Sequence, residues 1–530
     1  MGGLSRGKSR GNSPLLRNGR TQHVPHLPAL RADARALHAR AICGGDRTRE
    51  DDVARRTGAA PGRVPARLGV ASLRGTPAAD TAEVATVAGL THDGEGIVRA
   101  GKTVFVPGAL PGERIRFRRM RHHRQHDAGQ LLEVLEPAAA RVVPKCPHFG
   151  TCGGCVLQHL ASQAQLEAKQ IELRDNLERV ARIAPDTWLA PLRGPPWGYR
   201  RRARLGAKYV AKKGRVVVGF RERAAPYVAA LERCEILSAP VGDLIAPLSA
   251  MLTRLSIRER MPQIEVAVAD NAVALVLRVL DAPSDADLDL LREFAAAHRV
   301  RLYLQPGGLE SVRELQAAQA NTELPPAAAG APAPQGGQAL RYGLPRFGLQ
   351  LEFAPTDFIQ INATVNEALV ARAVELLEPT PASSVLDLYC GIGNFTLALA
   401  QVAGRVAGVE GEATLVERAR HNARCNNVSN AEFHVADLGQ ASQPGAPWSR
   451  QAYTHVLLDP PRVGAREVLA TIARLDPRRV LYISCHPGSL ARDLAVLVHE
   501  HGFTLKAAGV LDMFPHTAHV ESLALLTGVA

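Results

Sequence analysis

The stretch SSVLDLYCGIGNFTLALAQVA, residues 383–403, decides the fold class because three kinds of local structure follow one another within it. The apolar run SSVLDLYC is typical of a buried strand, Gly391-Ile392-Gly393-Asn394 of a tight turn, and FTLALAQVA of a helix. The alternation continues in RVAGVE, AEFHVAD, HVLLDPP and RRVLYISC. From about residue 351 the sequence therefore predicts an α/β domain with a mainly parallel, doubly wound, Rossmann-like sheet.

Carboxylates close successive strands of this predicted sheet, at the edge where ligands bind in such folds. The turn after the first strand lacks a dinucleotide fingerprint, since Thr396 stands at the third glycine position. Glu410 ends the second strand, where it could accept hydrogen bonds from both hydroxyls of a ribose. Asp437 ends the third, where it could contact an adenine amine. A cofactor with ribose and adenine but no pyrophosphate fits this set, which predicts S-adenosylmethionine.

A thiol and a carboxylate are expected at the same edge. Cys485 ends the fifth strand, and His516, His519 and Glu521 stand just ahead of an apolar strand that would run back into the sheet. Carbon 5 of uracil attacks a methylsulfonium only after a thiolate has added to carbon 6, and a base must then remove the carbon 5 proton. We therefore expect Cys485 to be the nucleophile and Glu521 the base, with Asp459 helping to hold the base or the cofactor.

The fourth strand ends in Asp459-Pro460-Pro461-Arg462. Enzymes that methylate exocyclic amines usually offer an aromatic side chain at this corner to stack on the base. Arg462 stands there instead, which makes amine methylation less favoured.

Four cysteines form a separate group. KCPHFGTCGGC gives Cys146-x5-Cys152-x2-Cys155, and Cys234 follows in LERCEIL. Short spacings with two glycines let a backbone fold tightly around one centre, as thiolate ligands require. Zinc and an iron–sulfur cluster would both suit four thiolates, and the spacing leaves that choice open.

The chain before the cysteines predicts a small RNA-binding barrel. Short strand-like runs separated by Gly and Pro over residues 81–137 are typical of a five-stranded barrel of the oligonucleotide-binding type. Within it, residues 112–126 alternate Ile and Phe with Arg, which predicts a strand with one cationic face. A second basic stretch, residues 199–215, interleaves Tyr199 and Tyr209 with Lys and Arg, a pattern that could contact phosphates and stack on bases.

Composition bounds the remaining segments. The chain has 530 residues and a net charge of +13, but residues 1–80 hold fifteen Lys/Arg against six Asp/Glu, so most of the excess lies there. We read residues 1–80 as a disordered basic tail and residues 325–339, PPAAAGAPAPQGGQA, as a surface loop or linker. No apolar run is long enough to cross a bilayer and the N-terminus lacks the apolar core of a secretory signal, which predicts a cytoplasmic protein.

Taken together, the motifs FIQIN (358–362), DLYCGIGNF, GVE, DPPR, SCHP and HTAHVES closely resemble those of the RNA uracil-C5 methyltransferases. A barrel similar to a TRAM domain and the four cysteines narrow the resemblance to the RlmD-type enzymes of 23S ribosomal RNA. The match runs from about residue 81 to residue 530.

The resemblance implies a multidomain α/β protein. Its parts would be a TRAM-like barrel at 81–140, a central iron–sulfur domain at 141–350 and a class I S-adenosylmethionine-dependent methyltransferase domain at 351–530. It also implies methylation of the uracil(1939)-C(5) position of 23S ribosomal RNA. Separately, we expect a monomer with no membrane partner. The residues implied are [4Fe-4S] ligands at Cys146, Cys152, Cys155 and Cys234, and cofactor contacts at Gln360, Tyr389, Asn394, Glu410, Asp437 and Asp459. Tyr389 stands where the family more usually has phenylalanine.

Three alternatives stay open at this point. The same chemistry could act on transfer RNA or on another ribosomal uridine. The chain could instead be a non-catalytic RNA-binding iron–sulfur protein, although the intact Cys485, Glu521 and cofactor edge argue against that. An iron–sulfur redox enzyme would be independent of Cys485.

Overall fold

A computed structural model describes residues 82–316, 339–440 and 446–528. The basic tail expected at 1–80 lies outside the described residues, as does all but the last residue of the 325–339 segment. Within the described ranges, no helix is both long and apolar enough to span a bilayer.

The first described region is a closed barrel with strand order β1-β2-β3-β5-β4. In β4, Ile115 and Phe117 are fully buried while the arginines between them point outward, which is the alternation of a strand with one face in a core. The predicted five-stranded barrel is therefore confirmed. Its strands are β1 (Glu83–Leu90), β2 (Glu95–Ala100), β3 (Lys102–Pro107), β4 (Arg114–His122) and β5 (Asp127–Glu136).

The cationic face expected on β4 is largely neutralised by β5. Arg114 pairs with Glu136 and Arg116 with Glu133, each at 2.8 Å. These pairs arise because β4 and β5 are antiparallel neighbours, so opposite charges face each other across the strands. The predicted strand with one cationic face is therefore present, and two of its arginines are paired with carboxylates of β5, which the periodicity of β4 alone does not show.

The central region combines a long helix with a six-stranded sheet of order β12-β11-β10-β9-β7-β8. The long helix α1 continues directly into a π-helical turn, Asn176–Ala181. Helices α2 and α3 belong to the same region, and α3 begins with a capping box between Ser284 and Asp287. The elements are α1 (Ser162–Asp175), β6 (Thr187–Trp188), β7 (Arg202–Val210), β8 (Arg215–Gly219), α2 (Ile245–Arg254), β9 (Gln263–Val268), β10 (Val273–Arg278), α3 (Asp285–His298), β11 (Val300–Gln305) and β12 (Arg313–Glu314).

Part of the second basic stretch, residues 199–215, makes contacts inside the protein. Tyr199 is buried and its hydroxyl donates to the Pro515 carbonyl at 3.0 Å, so the expectation that it stacks on a base was wrong. Arg204 pairs with Glu265 on the neighbouring strand β9, and the guanidinium of Arg258 lies 5.2 Å from the ring centre of Tyr209. Tyr199 and Tyr209 are thus used for internal packing, whereas Lys208, Lys212 and Lys213 are exposed.

The C-terminal region is the predicted doubly wound domain. Its eight-stranded sheet has the order β17-β16-β15-β18-β19-β21-β20-β6, with β15 to β19 parallel and β21 antiparallel to both β19 and β20. The short strand β6, which precedes the central sheet in the chain, completes the edge beside β20. The elements are β13 (Leu340–Leu344), β14 (Leu349–Phe353), α4 (Ala363–Leu377), β15 (Ser384–Leu388), α5 (Thr396–Ala400), β16 (Arg405–Glu410), α6 (Ala413–Cys425), β17 (Ala431–Val435), β18 (His455–Leu458), α7 (Leu469–Leu475), β19 (Arg479–Ser484), α8 (Pro487–His499), β20 (Thr504–Leu511) and β21 (Glu521–Thr527).

Candidate active site

The turn after β15 leaves open space at the carboxyl edge of the sheet. Tyr389 and Gly391 adopt left-handed backbone angles, with φ of 64° and 54°. A Cβ added at Gly391 would meet no atom of the described residues within 4 Å, so the turn borders open space at this position. The Gly391 N–H donates to Glu410 Oε2 at 3.2 Å, which joins the turn to the end of β16. Backbone and carboxylate thus border one open site, as a ribose-bearing ligand requires.

The remaining expected cofactor residues surround this turn. Gln360 Nε2 donates to Asp459 Oδ2 at 3.3 Å, which links the FIQIN motif to the end of β18. Asn394 Oδ1 accepts hydrogen bonds from Tyr342 and Asn366, both at 3.0 Å, so its amide is held by the neighbouring hairpin and by α4. Asp437 is exposed two residues beyond the end of β17.

Strand register brings the thiol and the expected base together. Ser484 of β19 is the antiparallel partner of Ser522 of β21. Cys485 follows the first of these residues and Glu521 precedes the second, so the two lie opposite each other at one end of adjacent strands. Asp459 ends the next strand along, β18, which is the parallel neighbour of β19.

Cys485, Glu521 and Asp459 are only partly exposed, and burial is the main cause of their raised pKa values. Burial first, and then the nearby Asp459, raises the pKa of Glu521 to about 8, while Lys169 lowers it. Burial raises the pKa of Asp459 to about 7. Burial, Glu521 and Asp459 raise the pKa of the Cys485 thiol to about 11, and the Arg462 guanidinium opposes that rise. A carboxyl whose pKa lies close to neutrality is suited to exchanging a proton with a substrate.

The two histidines ahead of Glu521 have different surroundings. His516 is 3% exposed, stacks on Trp197 with ring centres 3.9 Å apart, and has a left-handed backbone with φ of 66°. Burial lowers its pKa to about 4, so the ring is neutral. His519 is exposed and lies against Phe514. His516 is therefore a buried packing residue, whereas His519 lies at the surface.

The four grouped cysteines line one small cavity of about 20 Å³, together with Phe149, Phe220 and Leu231 among others. Two glycines let the chain pass close to its neighbours beside this cavity. A Cβ at Gly153 would lie 2.9 Å from the Arg221 carbonyl oxygen and one at Gly154 would lie 3.0 Å from the Phe220 ring, so a side chain at either position would be crowded. All four thiols are free of disulfides. Within the described residues, however, no set of three or more His, Cys, Asp or Glu side chains is arranged so as to hold a metal ion.

Sequence reasoning missed the buried polar residues that support this site. Lys169 of α1 donates to Asp512 Oδ1 at 2.8 Å, and Gln165, one turn earlier, accepts from the His516 N–H at 2.9 Å. Inside the sheet, Asp387 is fully buried and accepts from the Thr396 hydroxyl at 2.5 Å. The available signal was weak: Gln165 and Lys169 lie four residues apart, on one face of a helix whose other buried residues are apolar.

Known proteins resemble this chain in sequence and in fold. The family model described as tRNA (Uracil-5-)-methyltransferase matches residues 348–529. A 23S rRNA (uracil(1939)-C(5))-methyltransferase RlmD from Alkalilimnicola ehrlichii is 47% identical over 440 residues, which cover 83% of this chain and 95% of that protein. One of the same name from Nitrosococcus oceani is 46% identical over 452 residues, covering 85% and 97%.

A solved structure extends the comparison to the fold. The Pyrococcus abyssi tRNA (uracil-54, C5)-methyltransferase in complex with S-adenosyl-L-homocysteine superposes with a TM-score of 0.63. It is 23% identical, and the match covers 84% of this chain and 99% of that one, so the two proteins share a fold. Because relatives named RlmD are 46–47% identical over most of both chains, the chain belongs to the RlmD family of RNA uracil-C5 methyltransferases.

Proposed function

We propose that this protein transfers a methyl group from S-adenosylmethionine to carbon 5 of uracil 1939 in 23S ribosomal RNA. The observation that carries the proposal is the register of β19 and β21, which sets Cys485 opposite Glu521 at the edge where the cofactor would lie. The target and reaction are those named for relatives 46–47% identical over most of their length. We place the reaction in the cytoplasm and assign it to a monomer.

The cofactor would be held at the open turn after β15. Glu410 would accept the ribose hydroxyls, Asp437 the adenine amine, and Tyr389 would stack on the adenine. Gln360, Asn394 and Asp459 would border the methionine end, since Gln360 and Asp459 already contact each other. The bound cofactor supplies the methyl group as an electrophile.

Cys485 would begin the reaction as a thiolate that adds to carbon 6 of an unstacked uracil, which must be turned out of its RNA fold to reach the thiol. The addition makes carbon 5 nucleophilic, so that it takes up the methyl group. With its pKa of about 11 the thiol is mostly protonated near neutral pH, and the positive charge of Arg462 increases the thiolate fraction.

Glu521 would complete the reaction as the base. Its carboxylate removes the proton from the methylated carbon 5, the carbon 5–carbon 6 double bond re-forms, and the bond from carbon 6 to the Cys485 sulfur breaks. Because the carboxyl pKa is raised to about 8, the carboxylate is a stronger base than an exposed glutamate would be.

The four grouped cysteines, Cys146, Cys152, Cys155 and Cys234, are our proposed ligands for a [4Fe-4S] cluster. Four thiols of one type facing one cavity match the ligand chemistry of such a cluster. Burial raises the pKa of Cys152 and of Cys155 to about 12, so thiolates there need a positive partner. We assign the cluster a structural role, in which the side chains would close around it.

Iron and sulfide analysis of anaerobically purified protein tests the cluster. We expect Cys152→Ser to lose bound iron and Cys425→Ser, a change at an exposed cysteine of α6, to keep it. Iron retained after substitution of each cavity cysteine, or zinc found in its place, would contradict the proposal.

Mass spectrometry with 5-fluorouridine tests the methyl transfer. Ribosomal RNA fragments that carry 5-fluorouridine at the target should trap a methylated RNA–peptide adduct at Cys485, because fluorine at carbon 5 cannot be removed as a proton. Cys485→Ala should give no adduct, whereas Cys425→Ser should give as much as the unaltered protein. An adduct that survives Cys485→Ala would disprove this mechanism.

A further inference from the structure

Helix α1 contacts the loop that leads into β21 through a buried charged side chain. Lys169 is 2% exposed, and its Nζ donates to Asp512 Oδ1 at 2.8 Å and to the Phe514 carbonyl at 3.0 Å. An ion pair removed from water costs desolvation energy, so such a pair is weak evidence for stability in itself. A buried lysine at this place calls for another explanation.

A second buried side chain of α1 holds the same loop. Gln165 accepts from the His516 N–H at 2.9 Å, and its amide nitrogen donates to the Leu157 carbonyl at 3.0 Å and the Leu160 carbonyl at 2.7 Å. The same amide nitrogen lies 3.2 Å from His516 Nδ1. The His516 carbonyl in turn accepts from the N–H groups of Val156 and Leu157. This network fixes a residue with an unfavourable left-handed backbone only five positions before Glu521.

The continuation of α1 contacts the helix that follows the thiol. The π-helical turn Asn176–Ala181 lies against α8, and the His499 ring nitrogen Nε2 is 2.9 Å from the Ala181 carbonyl. Cys485 precedes the first residue of α8 by only two positions. One uninterrupted helical segment, residues 162–181, therefore contacts both the loop before the base and the helix after the nucleophile.

The charged groups around Glu521 shift its pKa in opposite directions. Asp459, which faces it from the end of β18, raises the pKa of Glu521, and Lys169, which faces it from α1, lowers that pKa. Cys485, directly after β19, is a third titratable neighbour. Lys169 itself is near Asp512, Glu172, His516 and His519. Lys169 thus stands where its charge reaches the proposed base as well as its own ion-pair partner.

We propose that Lys169 and Gln165 are positioning residues for uracil methylation, which hold the 512–519 loop so that Glu521 faces the carbon 5 proton. The inference rests on the proposed function, in which Glu521 is the base. Neither side chain touches the substrate in this assignment, and both act through the loop. Their loss should impair the step that Glu521 performs more than the step that Cys485 performs.

Single-turnover reactions with unmodified RNA separate these steps, because the covalent RNA–protein complex can be resolved on a denaturing gel. The variant Lys169→Met/Asp512→Asn removes both charges and so leaves no unpaired buried carboxylate. We expect its covalent complex to form within about twofold of the normal rate but to break down about tenfold more slowly, as when a general base is displaced. The complex should therefore accumulate. We also expect the breakdown rate to reach its plateau at a higher pH, since the Lys169 charge no longer favours the Glu521 carboxylate.

Three further variants complete the test. Lys169→Arg keeps the charge and should restore much of the breakdown rate. Gln165→Met should cause accumulation of the complex without changing the charge. Lys506→Met on β20 breaks an exposed ion pair with Asp186 and should behave as the unaltered protein.

Equal slowing of formation and breakdown would overturn the inference, as would normal breakdown in both the double variant and Gln165→Met. Either result would leave Lys169 and Gln165 with a structural role only. A different failure, in which the unaltered protein forms no covalent complex or methylated product with 23S RNA fragments, would overturn the proposed function itself.

Discussion

At the scale of single residues, Cys485 and Glu521 have opposed requirements. The thiol must lose its proton to attack, and the carboxyl must be charged to accept one, yet each negative charge disfavours the other. Asp459 adds a third acid and raises the pKa of both groups. Two cations, Arg462 near the thiol and Lys169 near the carboxyl, act against this repulsion. At this site, two cations thus reduce the mutual repulsion of three acidic groups.

The raised pKa of Glu521 predicts how the breakdown rate of the covalent complex depends on pH. The carboxylate is the active form, so below its pKa of about 8 the breakdown of the covalent complex should slow by about tenfold for each pH unit, and above it the rate should be constant. Asp459→Asn removes a neighbouring acid and should move this transition to lower pH, opposite in sign to the change expected for removal of Lys169. Quenched single-turnover reactions between pH 6 and 9 measure both transitions.

Glu521→Gln is the reference for this measurement, since it lacks the titrating group but keeps its size. We expect it to accumulate methylated covalent complex at every pH. A breakdown rate in the unaltered protein that is flat between pH 6 and 9 would show that another group is the base.

Residues at strand ends were predictable from the sequence, whereas buried polar contacts were not. Period-two and period-3.6 patterns locate where strands stop: Glu410 is the last residue of β16, as predicted, and Cys485 directly follows the last residue of β19. The hydrogen bond from Tyr199 to Pro515 joins residues 316 positions apart, and that between Gln165 and His516 joins residues 351 positions apart. No local pattern encodes such partners, because they depend on how whole regions pack together.

At the scale of elements, β16 depends on a glycine in its centre. A Cβ at Gly408 would lie 2.8 Å from the Phe433 ring and 2.9 Å from Cys390 Sγ, both in well-packed surroundings. Gly408→Ala should therefore lower the free energy of unfolding by about 1–3 kcal/mol, the usual cost of overpacking a core. Thermal melting followed by circular dichroism measures the change.

Gly343 in β13 is a matched control, because a Cβ there meets no atom closer than 3.7 Å. We expect Gly343→Ala to change the free energy of unfolding by less than about 0.5 kcal/mol. Equal melting temperatures for the two variants would show that β16 can move away from β17 at little cost.

The cations most available to RNA lie at hairpin tips. Arg121 near the end of β4 and Arg124 in the β4–β5 connection are both exposed, and neither has an ion pair to any residue that the structure describes, unlike Arg114 and Arg116 at the start of β4. The β7–β8 connection similarly exposes Lys212 and Lys213. An unpaired cation releases more counterions from RNA than one already neutralised by a carboxylate. The sequence alone could not show these pairings, because they depend on which strands are neighbours.

Arg121→Gln/Arg124→Gln should weaken RNA binding at low salt and reduce the slope of log affinity against log salt by about one for each phosphate that the protein no longer neutralises. Filter binding of a 23S RNA fragment at several salt concentrations measures the slope. Arg114→Gln/Glu136→Gln removes a neutral pair and should leave the slope unchanged. The opposite ranking of the two double variants would place the RNA at the start of β4, near Arg114, instead of at the hairpin end.

At the scale of the whole molecule, the hydrophobic cores do not follow the order of the chain. Leu166, Leu173 and Leu177 of the α1 segment belong to a core that also contains residues of β15, β18 and β19. A second core joins Tyr199, Ile236 and Ala267 of the central region to the methyltransferase sheet. The barrel core, by contrast, consists of barrel residues alone, among them Val98, Ile115 and Phe117. Sequence patterns predicted each region separately, but they could not show which regions share a core.

This division predicts how the molecule opens. Elements that share a core lose their packing together, whereas a region with its own core can unfold separately. Native-state hydrogen exchange followed by mass spectrometry should therefore show the barrel strands, residues 83–136, opening as one unit at a lower free energy than the rest. Peptides from residues 162–181 and 384–410 should instead exchange together at a higher free energy, since α1 shares its core with β15 and β16. If residues 162–181 opened with the barrel, α1 would not be firmly attached to the sheet, and it could not hold the loop before Glu521 in place through the catalytic cycle.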